Sequence, residues 1–154
     1  TQGVSSAASD VYKRQGHYYL YKKKNPFKHL IYPLPSSNGH GIHAGMDIEN
    51  NLRFGPNAKW VDSIEYSFDE NTLEEFCNSI KSYWINFDPS CLTPDYTGIR
   101  SKIVAEGEGS QDFEILDASD HGLENLVHLQ GIDSPGLTSS LSIAAEVISK
   151  LGIH

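Results

Sequence analysis

Chain breakers crowd the stretch from His17 to Tyr66 and confine it to short strands. Asn25-Pro26, Pro33, Pro35, Ser36-Ser37-Asn38-Gly39 and Glu49-Asn50-Asn51 follow one another too closely for an apolar helical stripe to develop. Between them lie β-prone runs: the aromatic His17-Tyr18-Tyr19-Leu20-Tyr21, then Leu30-Ile31-Tyr32, Gly41 to Ile48, and Leu52-Arg53-Phe54. Asn38-Gly39 has hairpin chemistry, so residues 17–66 are expected to form an antiparallel meander.

A different periodicity follows. Leu73, Phe76, Cys77, Ile80, Tyr83 and Trp84 recur at helical spacing, with Asn71 and Glu74 at capping-box distance. Cys77 lies on that stripe and reads as a core residue, not a reactive thiol. Asp88 to Asp95, interrupted by Pro89 and Pro94, reads as a linker into strands at 99–104, 113–116 and 126–129. The last element is a helix, with Ser134 as its expected N-cap, Pro135 at its first position and Gly152 just past its end. Leu137, Leu141, Ala144, Ile148 and Leu151 form its apolar stripe, and a helix this greasy is expected to be buried against a large partner layer.

Charge and cysteine usage narrow the functional classes. Twenty acidic residues against twelve Lys and Arg give a net charge of −8 over 154 residues, the wrong sign for a surface that neutralises phosphates. The basic cluster Lys22-Lys23-Lys24 with Lys28 reads as a solvated hairpin end. No apolar run approaches the ~20 residues of a membrane helix. Two cysteines, Cys77 and Cys91, are too few for a disulfide framework and lack CxxC spacing, and no histidine spacing suits a metal.

Four stretches carry candidate chemistry. Gly39-His40-Gly41-Ile42-His43-Ala44 matches G-x-G-x-x-G/A in letters, but it follows a turn and opens no helix, so it is not read as a dinucleotide loop. In a strand, Gly41, His43 and Gly45 would share a face on which the glycines leave His43 open to a flat group. His43 then reads either as a half-buried strand histidine or as a general base. Gly98-Ile99-Arg100-Ser101-Lys102 puts two cations on one strand face, which is either a carboxylate clamp or a solvated edge. Gly131 to Thr138 leads a strand into a helix start, where free N–H groups favour an electron-rich oxygen.

These stretches together resemble the FAD-dependent L-2-hydroxyglutarate dehydrogenase/oxidase group, within the D-amino-acid-oxidase-like flavoprotein family. The resemblance rests on Gly16-His17-Tyr18-Tyr19, Leu30 to Pro35, Gly41-Ile42-His43, Phe54-Gly55-Pro56-Asn57-Ala58, Gly98 to Lys102 and Gly131 to Ser140, in that order along residues 16–154. It departs from the family at His17, often acidic there, and at Ser101, often proline. The resemblance implies an α+β fold, with an antiparallel or mixed substrate-domain sheet, a flanking helix and the C-terminal strand and helix of an FAD-binding domain. It implies FAD as cofactor and oxidation of an L-2-hydroxy acid to the 2-oxo acid. Arg100 would hold the substrate carboxylate, Lys102 would give a second anion contact, and His43 would take the hydroxyl proton. Gly131, Ile132, Asp133, Ser134, Pro135, Gly136, Leu137 and Thr138 would meet the flavin.

The expected division is 1–15 as a non-native, adapter-like leader, 16–124 as part of a substrate-binding domain, and 125–154 as the end of an FAD-binding domain. The family's N-terminal G-x-G-x-x-G strand-turn-helix is not found in these residues, so the chain is expected to be a fragment, inactive alone. Expected partners are a small carboxylate substrate and an electron acceptor, either quinone or oxygen, with no nucleic acid and no transmembrane segment. The expected location is the cytoplasm or a membrane periphery, mitochondrial in a eukaryote. Two alternatives stand beside this reading: a related amino-acid or amine oxidase, and a binding module without redox chemistry.

Overall fold

The computed structural model describes residues 12–34, 41–109 and 111–153. Residues 1–11 of the expected 1–15 leader, the turn expected at 36–39 and His40 lie outside the described residues. The chain divides into two compact units, residues 14–99 and residues 100–154 with the N-terminal segment through Lys13.

Five strands, drawn mainly from residues 14–99, form one sheet: β1 (Tyr12–Tyr21), β2 (His43–Met46), β3 (Leu52–Gly55), β4 (Lys59–Val61) and β5 (Leu92–Lys102). The path runs β2-β3-β1-β4, and β5 also pairs with β1. β2 and β3 are antiparallel, with His43 opposite Gly55 and Gly45 opposite Arg53, and β3 pairs antiparallel with β1 through Tyr19↔Phe54 and Leu20↔Arg53. The expected antiparallel, α+β character is therefore present. Helix α1 (Leu73–Lys81) buries Phe76 and Ile80, one turn apart, against this sheet's core of Tyr19, Tyr21, Ala44, Leu52 and Phe54. Cys77 packs at the edge of that core, and burial pushes its thiol pKa up.

Several element boundaries differ from the sequence reading. Tyr12–Gln15, set aside as leader, form the start of β1, and Gln15 is buried with its amide donating to the Glu65 carbonyl at 2.7 Å. Leu30-Ile31-Tyr32 makes a single bridge, Ile31↔Ala44, where a strand was expected. The helix cap is Asp69, which accepts from the Asn71 amide at 3.1 Å. A 3₁₀ turn at Glu70–Thr72 starts the helical path ahead of the expected capping box. The linker at 88–95 holds a second 3₁₀ turn, Pro89–Cys91, and then β5 itself, which runs through Pro94. Cross-strand contacts hold it there: Arg53 Nε donates to Asp95 Oδ2 at 2.5 Å, and the Tyr96 ring stacks on Tyr18 at 4.5 Å.

The second unit contains β6 (Glu114–Leu116) and β7 (His128–Gln130), paired antiparallel with Ile115 opposite Leu129. Between them lies the short helix α2 (Ala118–His121), closed at its start by a reciprocal capping box of Asp117 and Asp120. The final helix α3 spans Ser140–Lys150 and starts later than expected. Tight turns occupy the residues before it: Gly136 N donates to Asp133 O at 2.5 Å, and Ser139 N to Pro135 O at 3.0 Å. Ser134-Pro135, with a cis peptide bond, lies within these turns and does not cap the helix. No residue of α3 is buried, Leu141 being 86% exposed. No helix among the described residues is long and apolar enough to cross a membrane.

Candidate functional site

The candidate residues fall in both units, and each group is built by its own strands. In the first unit, β2 alternates sides: Ala44 turns into the core at 2% exposure, which sends His43 and Gly45 to the other face. Gly41 precedes the strand, so only Gly45 shares the face of His43. A Cβ built on Gly45 meets nothing nearer than the Arg53 carbonyl at 3.9 Å, which leaves that side open. On the other side the Tyr32 ring lies against the imidazole, with centroids 4.3 Å apart. The sequence reading did not foresee Tyr32 in this role, because it lies in a segment that joins the sheet at one bridge only.

Gly55 ends β3 opposite His43 and has no room for any other residue. Its φ is +143°, and a Cβ there would come within 2.6 Å of the His17 carbonyl and 2.7 Å of the Tyr18 ring. His17 is itself fully buried. Its backbone amide donates to Asn57 Oδ1 at 2.8 Å, and its ring Nδ1 lies 3.2 Å from the same oxygen. An amide oxygen only accepts, so Nδ1 carries a proton, while Nε2 has no partner among the described residues. Asn57 in turn donates to Glu75 Oε2 at 3.1 Å.

In the second unit, Arg100 is exposed, and its guanidinium makes no ion pair or hydrogen bond among the described residues. Arg53, by contrast, is held by two carboxylates, Asp47 and Asp95, each at 2.5 Å. Lys102 is also engaged: its Nζ bonds Asp133 Oδ2, and the two side chains are 29% and 14% exposed. Lys102 and Asp133 are thus two expected site residues whose side chains the structure joins directly. His43 belongs to the other unit.

The segment from Gly131 to Thr138 is a compact turn. Asp133 N donates to Gly131 O at 2.9 Å, and the Asp133 carbonyl receives the Gly136 amide. Gly136 is buried, and a Cβ on it would come within 2.6 Å of that carbonyl and 2.7 Å of Ile132 Cγ2. The amides of Leu137 and Thr138 donate to no acceptor among the described residues, and Leu137 is 91% exposed. Adjacent unbonded donors on an exposed turn fit the carbonyl-bearing edge of a flat heterocycle such as a flavin. Because α3 begins only at Ser140, the donors belong to the turn and not to the first helical residues.

The model of the family described as FAD dependent oxidoreductase matches residues 2–150. The L-2-hydroxyglutarate dehydrogenase, mitochondrial, of Arabidopsis thaliana is 35% identical over 138 residues, covering 83% of this chain and 29% of that protein. A glycerol 3-phosphate dehydrogenase of Caloramator mitchellensis is 30% identical over 158 residues, covering 96% of this chain and 30% of its own. The fold is that of the dithionite-reduced L-alpha-glycerophosphate oxidase from Mycoplasma pneumoniae with FAD bound. The match has a TM-score of 0.73 at 19% identity and covers 94% of this chain and 37% of that one. The chain thus spans about a third of the length of the curated relatives it matches.

Proposed function

Since the chain belongs to the family of FAD-dependent oxidoreductases, we propose that the full-length protein uses FAD to oxidise an L-2-hydroxy acid, best fitted by L-2-hydroxyglutarate, to the 2-oxo acid. The observation that carries this reading is Arg100, an exposed guanidinium with no partner among the described residues, at the end of Gly98-Ile99-Arg100. A planar fork of donors binds a carboxylate bidentately and fixes which face of the α-carbon is presented. Bound FAD supplies the hydride acceptor. The Leu137 and Thr138 amides would hold its ring edge by main-chain donation, and donors fixed before the reaction stabilise negative charge arising there. His43 would accept the hydroxyl proton, since imidazole exchanges protons near neutral pH, and Tyr32 fixes one side of its ring.

A second reading has support of its own. Two relatives, at 30% and 29% identity, are named for glycerol 3-phosphate, and Arg100 would meet a phosphate as readily as a carboxylate. The deciding experiment assays the full-length protein with L-2-hydroxyglutarate, glycerol 3-phosphate and L-amino acids, following loss of flavin absorbance under anaerobic conditions. Bleaching by L-2-hydroxyglutarate with formation of the 2-oxo acid is expected. Bleaching by glycerol 3-phosphate or by amino acids alone would overturn the assignment.

A further inference from the structure

Resting on the reading that the turn after Gly131 faces the flavin, we propose that Lys102 and Asp133 form a brace setting that turn against the strand that carries Arg100. Lys102 is then a positioning residue for the cofactor contact and not a second contact for the substrate. The inference starts from alternation along the end of β5. Residues 100 and 102 share one side of the strand, yet their surroundings differ: Arg100 stands exposed, whereas the Lys102 ammonium is held by a carboxylate only 14% exposed. For Lys102 to take up a substrate anion, Asp133 would have to leave it and remain as an uncompensated charge in a mostly buried place. Arg100 faces no such competition.

The next residue along the chain adds a second anchor. Ile103 packs over Gly131, whose Cβ position lies 3.1 Å from Ile103 Cδ1. Consecutive residues of the 102–103 segment therefore hold two points of the turn, Asp133 by charge and Gly131 by close packing. Asp133 passes the restraint on through its backbone, its amide bonding Gly131 O and its carbonyl receiving Gly136 N. Gly136 leads directly to the Leu137 and Thr138 amides. The side chain of Lys102 is thus linked, through one carboxylate and the backbone hydrogen bond from Gly136 N to Asp133 O, to the donors assigned to the cofactor. The same strand end sets the Arg100 guanidinium proposed for the substrate and the Leu137 and Thr138 amides proposed for the flavin in one frame.

The test uses the full-length protein with its flavin and reads three quantities: amide exchange over residues 129–139, the rate of flavin release, and KM for L-2-hydroxyglutarate. Lys102→Met and the nearly isosteric Asp133→Asn are each expected to speed exchange in that segment and to release flavin about tenfold faster, the equivalent of one lost charged hydrogen bond, with KM within about threefold of wild type. Lys102→Arg, which keeps the charge, should hold flavin as wild type does, and Lys102→Asp combined with Asp133→Lys should regain much of the lost retention. Should Lys102→Met fail to fold, Asp133→Asn and the exchanged pair decide the matter alone. A large rise in KM for Lys102→Met, with exchange and flavin release unchanged, would overturn the brace and make Lys102 a substrate contact. Faster exchange with unchanged flavin release would overturn its role toward the cofactor. A wild-type protein that binds no flavin would instead overturn the proposed function, while the exchange data would still report whether Lys102 holds the turn.

Discussion

Arg100 lies near the end of a strand with its guanidinium unpaired among the described residues, so its fork geometry, not its charge, is what a substitution would probe. Arg100→Lys in the full-length protein is expected to raise KM and lower kcat/KM by about 10- to 100-fold, corresponding to about 1.5–3 kcal/mol for a charge-assisted contact. Unchanged steady-state kinetics would remove Arg100 from the site. A second residue does structural work. Tyr83 donates its hydroxyl to the Ile42 carbonyl at 3.0 Å, and burial pushes its pKa well above the ordinary phenol range. Tyr83→Phe should cost about 1 kcal/mol in urea unfolding, because the carbonyl of Ile42, itself 3% exposed, loses its donor. Residue type alone made Arg100 and His43 candidates, since few side chains clamp a carboxylate or exchange a proton near neutrality. The partner of Lys102 was not legible, because Asp133 is 31 residues away and was expected among the flavin contacts. Nor was the burial of His17 beside Asn57, a pairing across 40 residues.

At the scale of the element, α1 and α3 look alike as sequence patterns and differ in what covers them. Phe76→Ala in α1 should cost about 3–5 kcal/mol by chemical denaturation, as expected for emptying a fully buried aromatic site. Leu141→Ala in α3 should stay within about 0.5 kcal/mol, since that side chain is 86% exposed. Periodicity located both helices, but it cannot report which stripe the chain itself covers. It also overextended the start of α3, because Ser134-Pro135 has the composition of a cap while hydrogen bonds to Asp133 and Pro135 tie those residues into turns. Helix α2 was missed although its signal is present: Asp117 and Asp120 at cap and third position, with Gly122 left-handed behind them. Asp117 also binds Lys150 of α3 at 2.8 Å, and this bond, followed by those from Ser119, holds its pKa below the usual carboxylate range. A carboxylate whose folded pKa is depressed adds stability that is present above its unfolded value of about 3.9 and is lost as pH falls from there toward the folded pKa. Thermal melts of Asp117→Asn should therefore lie closest to wild type in strong acid and fall progressively below it as pH rises toward about 4, the gap staying constant above that. A gap independent of pH would remove this carboxylate from the acid-side stability.

On the scale of the whole molecule, FAD is the decisive ligand. The Leu137 and Thr138 amides are the proposed donors for the ring edge, but the G-x-G-x-x-G/A letters at 39–44 follow a Pro/Ser/Asn-rich sequence and lead into β2 with no helix opening. Equilibrium dialysis of this chain with FAD should show retention far below one equivalent, and stoichiometric yellow protein would contradict the expectation. The α+β class was legible because breakers and aromatic runs dictate short strands whatever the partners. The extent of β5 was not, since Pro94 argues against a strand and only the distant Arg53 and Tyr18 hold it in place. The aromatic core has an optical consequence as well. Trp84 is ringed by Tyr21, Phe27 and Phe87 with centroids 5.1, 5.2 and 5.7 Å away, while Trp60 lies under the Arg14 guanidinium. Such close, fixed chromophores couple, so the near-ultraviolet circular dichroism should carry a strong signal belonging to the sheet-helix core of the first unit. Trp84→Phe would erase most of it and Trp60→Phe little, giving the protein a built-in gauge of whether that core is intact while flavin is added or withdrawn.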